Sequence, residues 1–157
     1  MENQLDLKVL GLVPQKVRPL IEEGPDSENA ESYRVMKTNL SFTHNSSEEG
    51  IAHCILSSGA GEGKSTTVFN LAYVAAQQGS KVLLVDADLR RPVQHTILGM
   101  TNRFGLTNVL LRDVPVEEAI KATSIANLQF LPSGRLPRAS LGVLDPKKIR
   151  ELMQSLK

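Results

Sequence analysis

Ser57-Ser58-Gly59-Ala60-Gly61-Glu62-Gly63-Lys64-Ser65-Thr66-Thr67 is the stretch on which the fold of this chain turns. An apolar run, Ile51 to Leu56, precedes it, and a helical pattern from Val68 to Ala76 follows it. Strand, glycine-rich turn and helix start, in that order, form the setting a phosphate-binding loop needs. Glycines let the backbone curl so that successive N–H groups point at an anion. The helix N-terminus adds partial positive charge. In such a loop Lys64 reaches the β- and γ-phosphates and the Ser65 hydroxyl ligates Mg²⁺. The pattern Gly-x4-Gly-Lys-Ser/Thr departs only at its first position, where Ser58 stands. That position is the most replaceable, because the phosphates rest on the later residues. The competing reading is an ordinary glycine-rich turn, which has no need of Gly63-Lys64-Ser65 in this context.

The next informative run is Val82-Leu83-Leu84-Val85-Asp86-Ala87-Asp88-Leu89-Arg90-Arg91-Pro92. Its apolar part suits a strand buried on both faces. Asp86 and Asp88 are two apart, so in extended geometry they point the same way. The carboxyl end of a parallel strand is where doubly wound sheets place ligands. One carboxylate is suited to hold Mg²⁺ through water, the other to take a proton from an attacking hydroxyl. The competing reading is a turn-forming or capping aspartate.

The rest of the chain supplies the frame. Residues 8–13 are expected as a short strand ended by Pro14, and residues 14–26, with three prolines, as a linker. Asp26-Ser27 offers an N-cap for a helix through about Phe42, followed by a polar loop at 43–50. Strand 51–57 leads to helix 63–78, stopped by Gly79, and then to strand 81–86. Short helices are expected at 106–111 and 116–122, a third core strand at 128–131, and a polar loop at 133–140. Asp145-Pro146 opens a final helix, although Leu141-Gly142-Val143-Leu144-Asp145 also resembles an apolar strand ending in aspartate. Strands alternating with helices predict an α/β fold with a parallel sheet flanked by helices. Residues 1–26 are read as an N-terminal strand and linker, and residues 27–157 as the nucleotide-binding domain.

Composition excludes several classes. With 157 residues, 41% of them hydrophobic, the chain is long enough for one domain with a real core. Eighteen Lys and Arg against seventeen Asp and Glu give net +1, which offers no global field for nucleic acid. No apolar run approaches the roughly 18 residues of a membrane helix. The N-terminus has no basic and apolar leader pattern, so a cytoplasmic location is the expectation. The single cysteine, Cys54, excludes an internal disulfide and is expected in the core of the first strand. His44, His53 and His95 share no zinc-ligand spacing, and Arg135 and Arg138 are expected at the surface.

These motifs together resemble the P-loop bacterial tyrosine kinases that control export of capsular and exopolysaccharides. The resemblance covers Ser57 to Thr66 with Asn70-Leu71-Ala72, the Asp-x-Asp-x-Arg run ending at Arg90, and Glu31-Ser32-Tyr33-Arg34-Val35-Met36-Lys37-Thr38-Asn39. Gly105-Leu106-x-Asn108-Val109-Leu110, Leu131-Pro132-Ser133-Gly134 and Val9 to Pro14 also resemble family segments, the last of them the piece joining the kinase to its membrane partner. The resemblance implies an ATP·Mg²⁺ site made of Gly59, Ala60, Gly61, Glu62, Gly63, Lys64, Ser65 and Thr66. Asp86 then assists the metal or its water, and Asp88 is the base toward a tyrosine hydroxyl. It implies that Glu31, Arg34 and Lys37 join subunits into a ring, where their bland reading is an exposed charged helix face. A membrane-spanning chain-length regulator is the implied partner, reached from the inner face of the plasma membrane.

Two departures qualify this expectation. The family's Walker B strand follows a helix like 146–156, and its tyrosine cluster lies further on. The sequence is therefore expected to be a kinase domain truncated before both. A non-catalytic ATP-binding regulator of the export machinery is the alternative from another class. A partitioning or division-site ATPase is a third, disfavoured because Gly59 stands where those proteins carry a signature lysine.

Overall fold

A computed structural model describes residues 8–43, 50–112, 114–135 and 145–156. Its elements in chain order are α1 (Leu20–Glu23), α2 (Glu28–Ser41), α3 (Lys64–Gln77), β1 (Val82–Val85), α4 (Gln94–Ile97), α5 (Leu106–Arg112), α6 (Val116–Ala119), β2 (Lys121–Ala122), β3 (Leu128–Leu131) and α7 (Pro146–Ser155). The local signals explain the boundaries. The Ser27 hydroxyl caps α2 by accepting from the Ala30 N–H, the role serine plays best. Gly63, with φ +83°, opens α3 in the left-handed region. Gly79, with φ +88°, closes it, and the Ser80 N–H returns to the Ala75 carbonyl. Asp145 caps α7 by accepting from Lys147 N–H at 2.8 Å, with Pro146 in the first turn. Asp145 is thus a helix cap, and Leu141 to Leu144, the rest of the strand-like run, lie outside the described residues.

β1 and β3 pair in parallel, Val82 with Leu128 through Val85 with Leu131. Alternation sends their side chains to two faces. Leu84, Leu128 and Phe130 join Tyr33 of α2 and Phe69 and Tyr73 of α3 on one side. Leu83, Val85 and Leu131 join Leu106, Leu110, Ala119 and Leu152 on the other. Helices cover both faces, which is why the strands are apolar except at the exposed Gln129. Burying a phenylalanine such as Phe69 or Phe130, both 0% exposed, contributes about 1.5–3 kcal/mol.

Five expectations fail. The helix expected at 116–122 ends at Ala119, because Ile120 turns extended and Lys121–Ala122 pairs antiparallel to β3. Apolar spacing over so short a run does not distinguish strand from helix. The linker at 14–26 is docked: Leu20 is fully buried and its N–H donates to Asn70 Oδ1 at 2.8 Å, while Asn70 Nδ2 donates to the Arg18 carbonyl at 3.0 Å. Residues 8–13 form no strand; Asn39 Nδ2 holds the Leu10 carbonyl at 2.7 Å and Gly11 rests on Met36.

The expected strand 51–57 also fails to form, and Cys54 on it is exposed rather than in the core. The run makes no ladder with the edge of β1 that it faces. Val82 N–H donates to the Asn127 carbonyl and Asp86 N–H to the Leu131 carbonyl on the β3 side, so the alternate groups at Leu83 and Val85 face the other edge. No described strand lies there. A cleft of about 1390 Å³ separates Ile51, Ala52 and Ile55 from Leu83 and Val85, with Leu71 among its other walls. A helix makes its own backbone bonds, whereas a strand must borrow them, so the run leaves Leu56 84% exposed. The loops expected at 43–50 and 133–140 fall largely outside the described residues, as do His44 and Arg138. Among the described residues, no helix is long and apolar enough to cross a membrane.

Candidate nucleotide-binding site

The glycine-rich loop runs from Ser57 to Gly63 into the first turn of α3. Gly61 and Gly63 both have φ +83°, a conformation only glycine adopts without strain. The Ser57 hydroxyl donates to the Gly59 carbonyl at 3.1 Å. The Ser58 hydroxyl donates to Glu62 Oε1 at 2.7 Å. That hydroxyl, with the backbone N–H groups of Gly59 and Ser58, holds the Glu62 carboxyl below its ordinary range. Ser58 in place of glycine thus carries a specific bond inside the loop.

The strand end meets the loop. Asp86 follows β1 directly and its N–H donates to the Leu131 carbonyl. Its carboxylate is 4% exposed. Oδ1 accepts from Asp88 N–H at 3.3 Å, and Oδ2 accepts from Val93 N–H at 3.2 Å and Gln94 N–H at 3.1 Å. Burial raises the Asp86 pKa above its ordinary value, and these N–H donors offset only part of that rise. Asp88 stands differently. Its Oδ2 lies 3.0 Å from Lys64 Nζ, both side chains about a third exposed. Its Oδ1 accepts from Arg91 N–H at 3.0 Å and Arg90 N–H at 3.3 Å. The Arg91 N–H first, then Lys64, lowers its pKa. The two carboxylates are therefore driven apart, the pattern by which environment separates roles.

Lys64, Ser65, Asp86 and Asp88, expected from sequence to act together, do converge: Lys64 touches Asp88, and Gln94 touches both Ser65 and Asp86. Gly59, Ala60, Gly61, Glu62, Gly63 and Thr66 lie in or beside the same loop. Glu31, Arg34 and Lys37 lie apart, on α2. Arg34 Nη1 pairs with Glu31 Oε2 at 2.9 Å and its Nη2 donates to the Pro25 carbonyl. Lys37 lines the cleft beside Leu40 and Ser41.

Sequence reasoning missed two supports. Gln94 gave no motif signal. The pairing of Gly105-Leu106 with Pro132-Ser133-Gly134 is the second. Leu106 N–H donates to the Pro132 carbonyl and Thr107 N–H to the Ser133 carbonyl. Asn102 binds both the Ser133 hydroxyl and the Gly134 N–H. This knot sits at the end of β3, level with Asp86 across the ladder. The two segments were each noticed in sequence, but not that they hold each other.

The donor set suits magnesium. Ser65 offers a hydroxyl, and the Asp86 carboxylate has three of about four acceptor positions taken by N–H groups. It is therefore arranged to hold a metal-bound water more than the metal itself. Among the described residues no three His, Cys, Asp or Glu side chains form a metal cluster of their own. Phosphate and water must complete the sphere, as is usual for Mg²⁺ and unlike a closed zinc site.

Fold and site together define a P-loop nucleotide-binding protein. The family model described as AAA domain matches residues 52–152. The chain is 44% identical over 129 residues to the tyrosine-protein kinase YwqD of Bacillus subtilis (strain 168), covering 82% of this chain and 54% of that protein. The crystal structure of the chimerical protein CapA2B2 matches with a TM-score of 0.83 at 34% identity, over 99% of this chain and 68% of that one. The septum site-determining protein MinD of Pyrococcus horikoshii OT3, complexed with Mg-ADP, matches with a TM-score of 0.58 at 36% identity, over 66% of this chain and 42% of that one. The chain belongs to the AAA domain family and, within it, to the bacterial tyrosine kinases. It spans about half the length of YwqD.

Proposed function

We propose that this chain carries the ATP-binding site of an autophosphorylating protein-tyrosine kinase that regulates export of exopolysaccharide or capsule. The 3.0 Å approach of Lys64 to Asp88 carries the reading, because it brings the loop cation and the strand-end carboxylate to one point. The likeness to a named tyrosine-protein kinase supplies the reaction class.

The loop N–H groups and Lys64 receive the phosphates of ATP, and Ser65 with water-bridged Asp86 receives Mg²⁺. Magnesium held there would supply charge neutralisation to the phosphoryl group in transfer. The bond from phosphorus to ADP breaks as a bond to the tyrosine oxygen forms, and the tyrosine proton passes to Asp88. Asp88 is a weak base while Lys64 holds it. Phosphate draws Lys64 away and returns part of its basicity, while the Arg91 and Arg90 N–H groups still hold Oδ1. Tyr33 and Tyr73 are 1% and 7% exposed and lie in the core, so the acceptor tyrosine comes from elsewhere. The assembly is a ring of copies joined through Glu31, Arg34 and Lys37, at the inner face of the plasma membrane beside a chain-length regulator.

Incubation with ATP·Mg²⁺, a tyrosine-bearing peptide and phosphotyrosine detection tests this. Phosphotyrosine that disappears in Lys64→Ala supports transfer. Saturable, Lys64-dependent ATP binding without phosphotyrosine supports the alternative, a non-catalytic regulator.

A further inference from the structure

Gln94 begins α4 and is 4% exposed, yet nothing in the reaction described above requires it. Its backbone N–H donates to Asp86 Oδ2 at 3.1 Å. Its side-chain Nε2 donates to the Ser65 carbonyl at 2.9 Å. One residue therefore fastens the first turn of α3 to the end of β1. Its third polar atom, Oε1, is buried and has no hydrogen-bond partner. A buried acceptor left unmatched is costly, and one in a native structure calls for an explanation.

We propose that Gln94 is a positioning residue for the magnesium site. It holds Ser65 against Asp86, and its free Oε1 accepts from a water carried by the cation. The inference rests on the nucleotide reading above and deepens it. Magnesium keeps several of its waters when bound, and those waters are donors, the one function Oε1 lacks. The phosphate cradle itself does not involve Gln94, so phosphate and metal affinities separate in a variant.

Gln94→Met keeps the length of the side chain and removes both polar atoms. Calorimetry with ADP, first in a chelator and then with Mg²⁺, reads the two terms. Metal-free ADP affinity is expected within about twofold of wild type, and the gain on adding Mg²⁺ is expected to shrink about tenfold, the scale of one or two lost hydrogen bonds. Thr96→Ala, exposed on the same short helix, is expected to keep the full gain. A full gain in Gln94→Met overturns the inference, and so does an equal loss in both titrations, which marks a general packing role. Nuclear magnetic resonance of the wild-type ADP complex needs no folded variant: the Gln94 side-chain amide signals are expected to move when Mg²⁺ is added, and unmoved signals overturn the inference. No ADP binding by the wild-type chain overturns the nucleotide reading and this inference together.

Discussion

Lys64 Nζ stands 3.0 Å from Asp88 Oδ2, so the phosphate loop and the Asp-x-Asp strand end are joined by one ion pair. Nucleotide must compete for that lysine. A pair this exposed is worth about 0–1 kcal/mol. Asp88→Asn is therefore expected to raise ADP affinity about two- to fivefold while abolishing tyrosine phosphorylation. Calorimetry and phosphotyrosine detection on the same preparation check it. Weaker ADP binding would show that Asp88 orders the loop instead of competing for it.

The opposite shifts of Asp86 and Asp88 give opposite pH responses. Asp88 is lowered on folding, so its contribution is present above the ordinary carboxylate value of about 4 and is lost as pH falls below it. Asp86 is raised, so burying it costs stability as pH climbs above that value and favours the fold below it. Urea melts across acidic pH are expected to show a shallower acid loss for Asp88→Asn than for wild type. The Mg²⁺ gain in ADP affinity is expected to fade on acidification before pH 4 is reached, because a protonated Asp86 holds cationic water poorly.

Asn70 is fully buried and satisfies two backbone groups of the segment before α1. Truncation to alanine leaves Leu20 N–H without an acceptor. Asn70→Ala is expected to cost about 2–4 kcal/mol and to lower the melting temperature by about 5–10 °C. Limited proteolysis is expected to cut near Arg18 in the variant first. Resistance there equal to wild type would place the loss elsewhere.

Gly105 has no room for a side chain. A methyl group would strike the Pro132 carbonyl and the Gly134 N–H. Gly105→Ala is expected to destabilise by about 1–3 kcal/mol, read by urea denaturation. Because the strain falls at the end of β3, level with Asp86, Mg²⁺-dependent binding is expected to drop with it.

Legibility followed the range of each interaction. Ser27, Gly63, Gly79 and Asp145-Pro146 act within a turn of themselves, and each behaves as its residue type dictates. β1 and β3 were readable because both faces are largely covered, which leaves an unbroken apolar run in β1 and one interrupted only by Gln129 in β3. Ile51 to Leu56 is just as apolar, yet its conformation depends on a neighbour that no local pattern encodes. Leu20 reads as part of a linker until Asn70, fifty positions on, is known to grip it. In the site, Lys64, Ser65, Asp86 and Asp88 carry spacing that chemistry demands. Gln94 works through one backbone bond and one side-chain bond, and no spacing announces either.

Asn70 lies less than two turns along the helix whose first turn carries Lys64 and Ser65. Its amide grips the backbone at Arg18 and Leu20. A pull on the polypeptide ahead of Leu10 thus meets α2 at Asn39 and then that helix at Asn70 before it reaches the sheet. The segment is a drawbar hitched to the helix that starts at the phosphate loop.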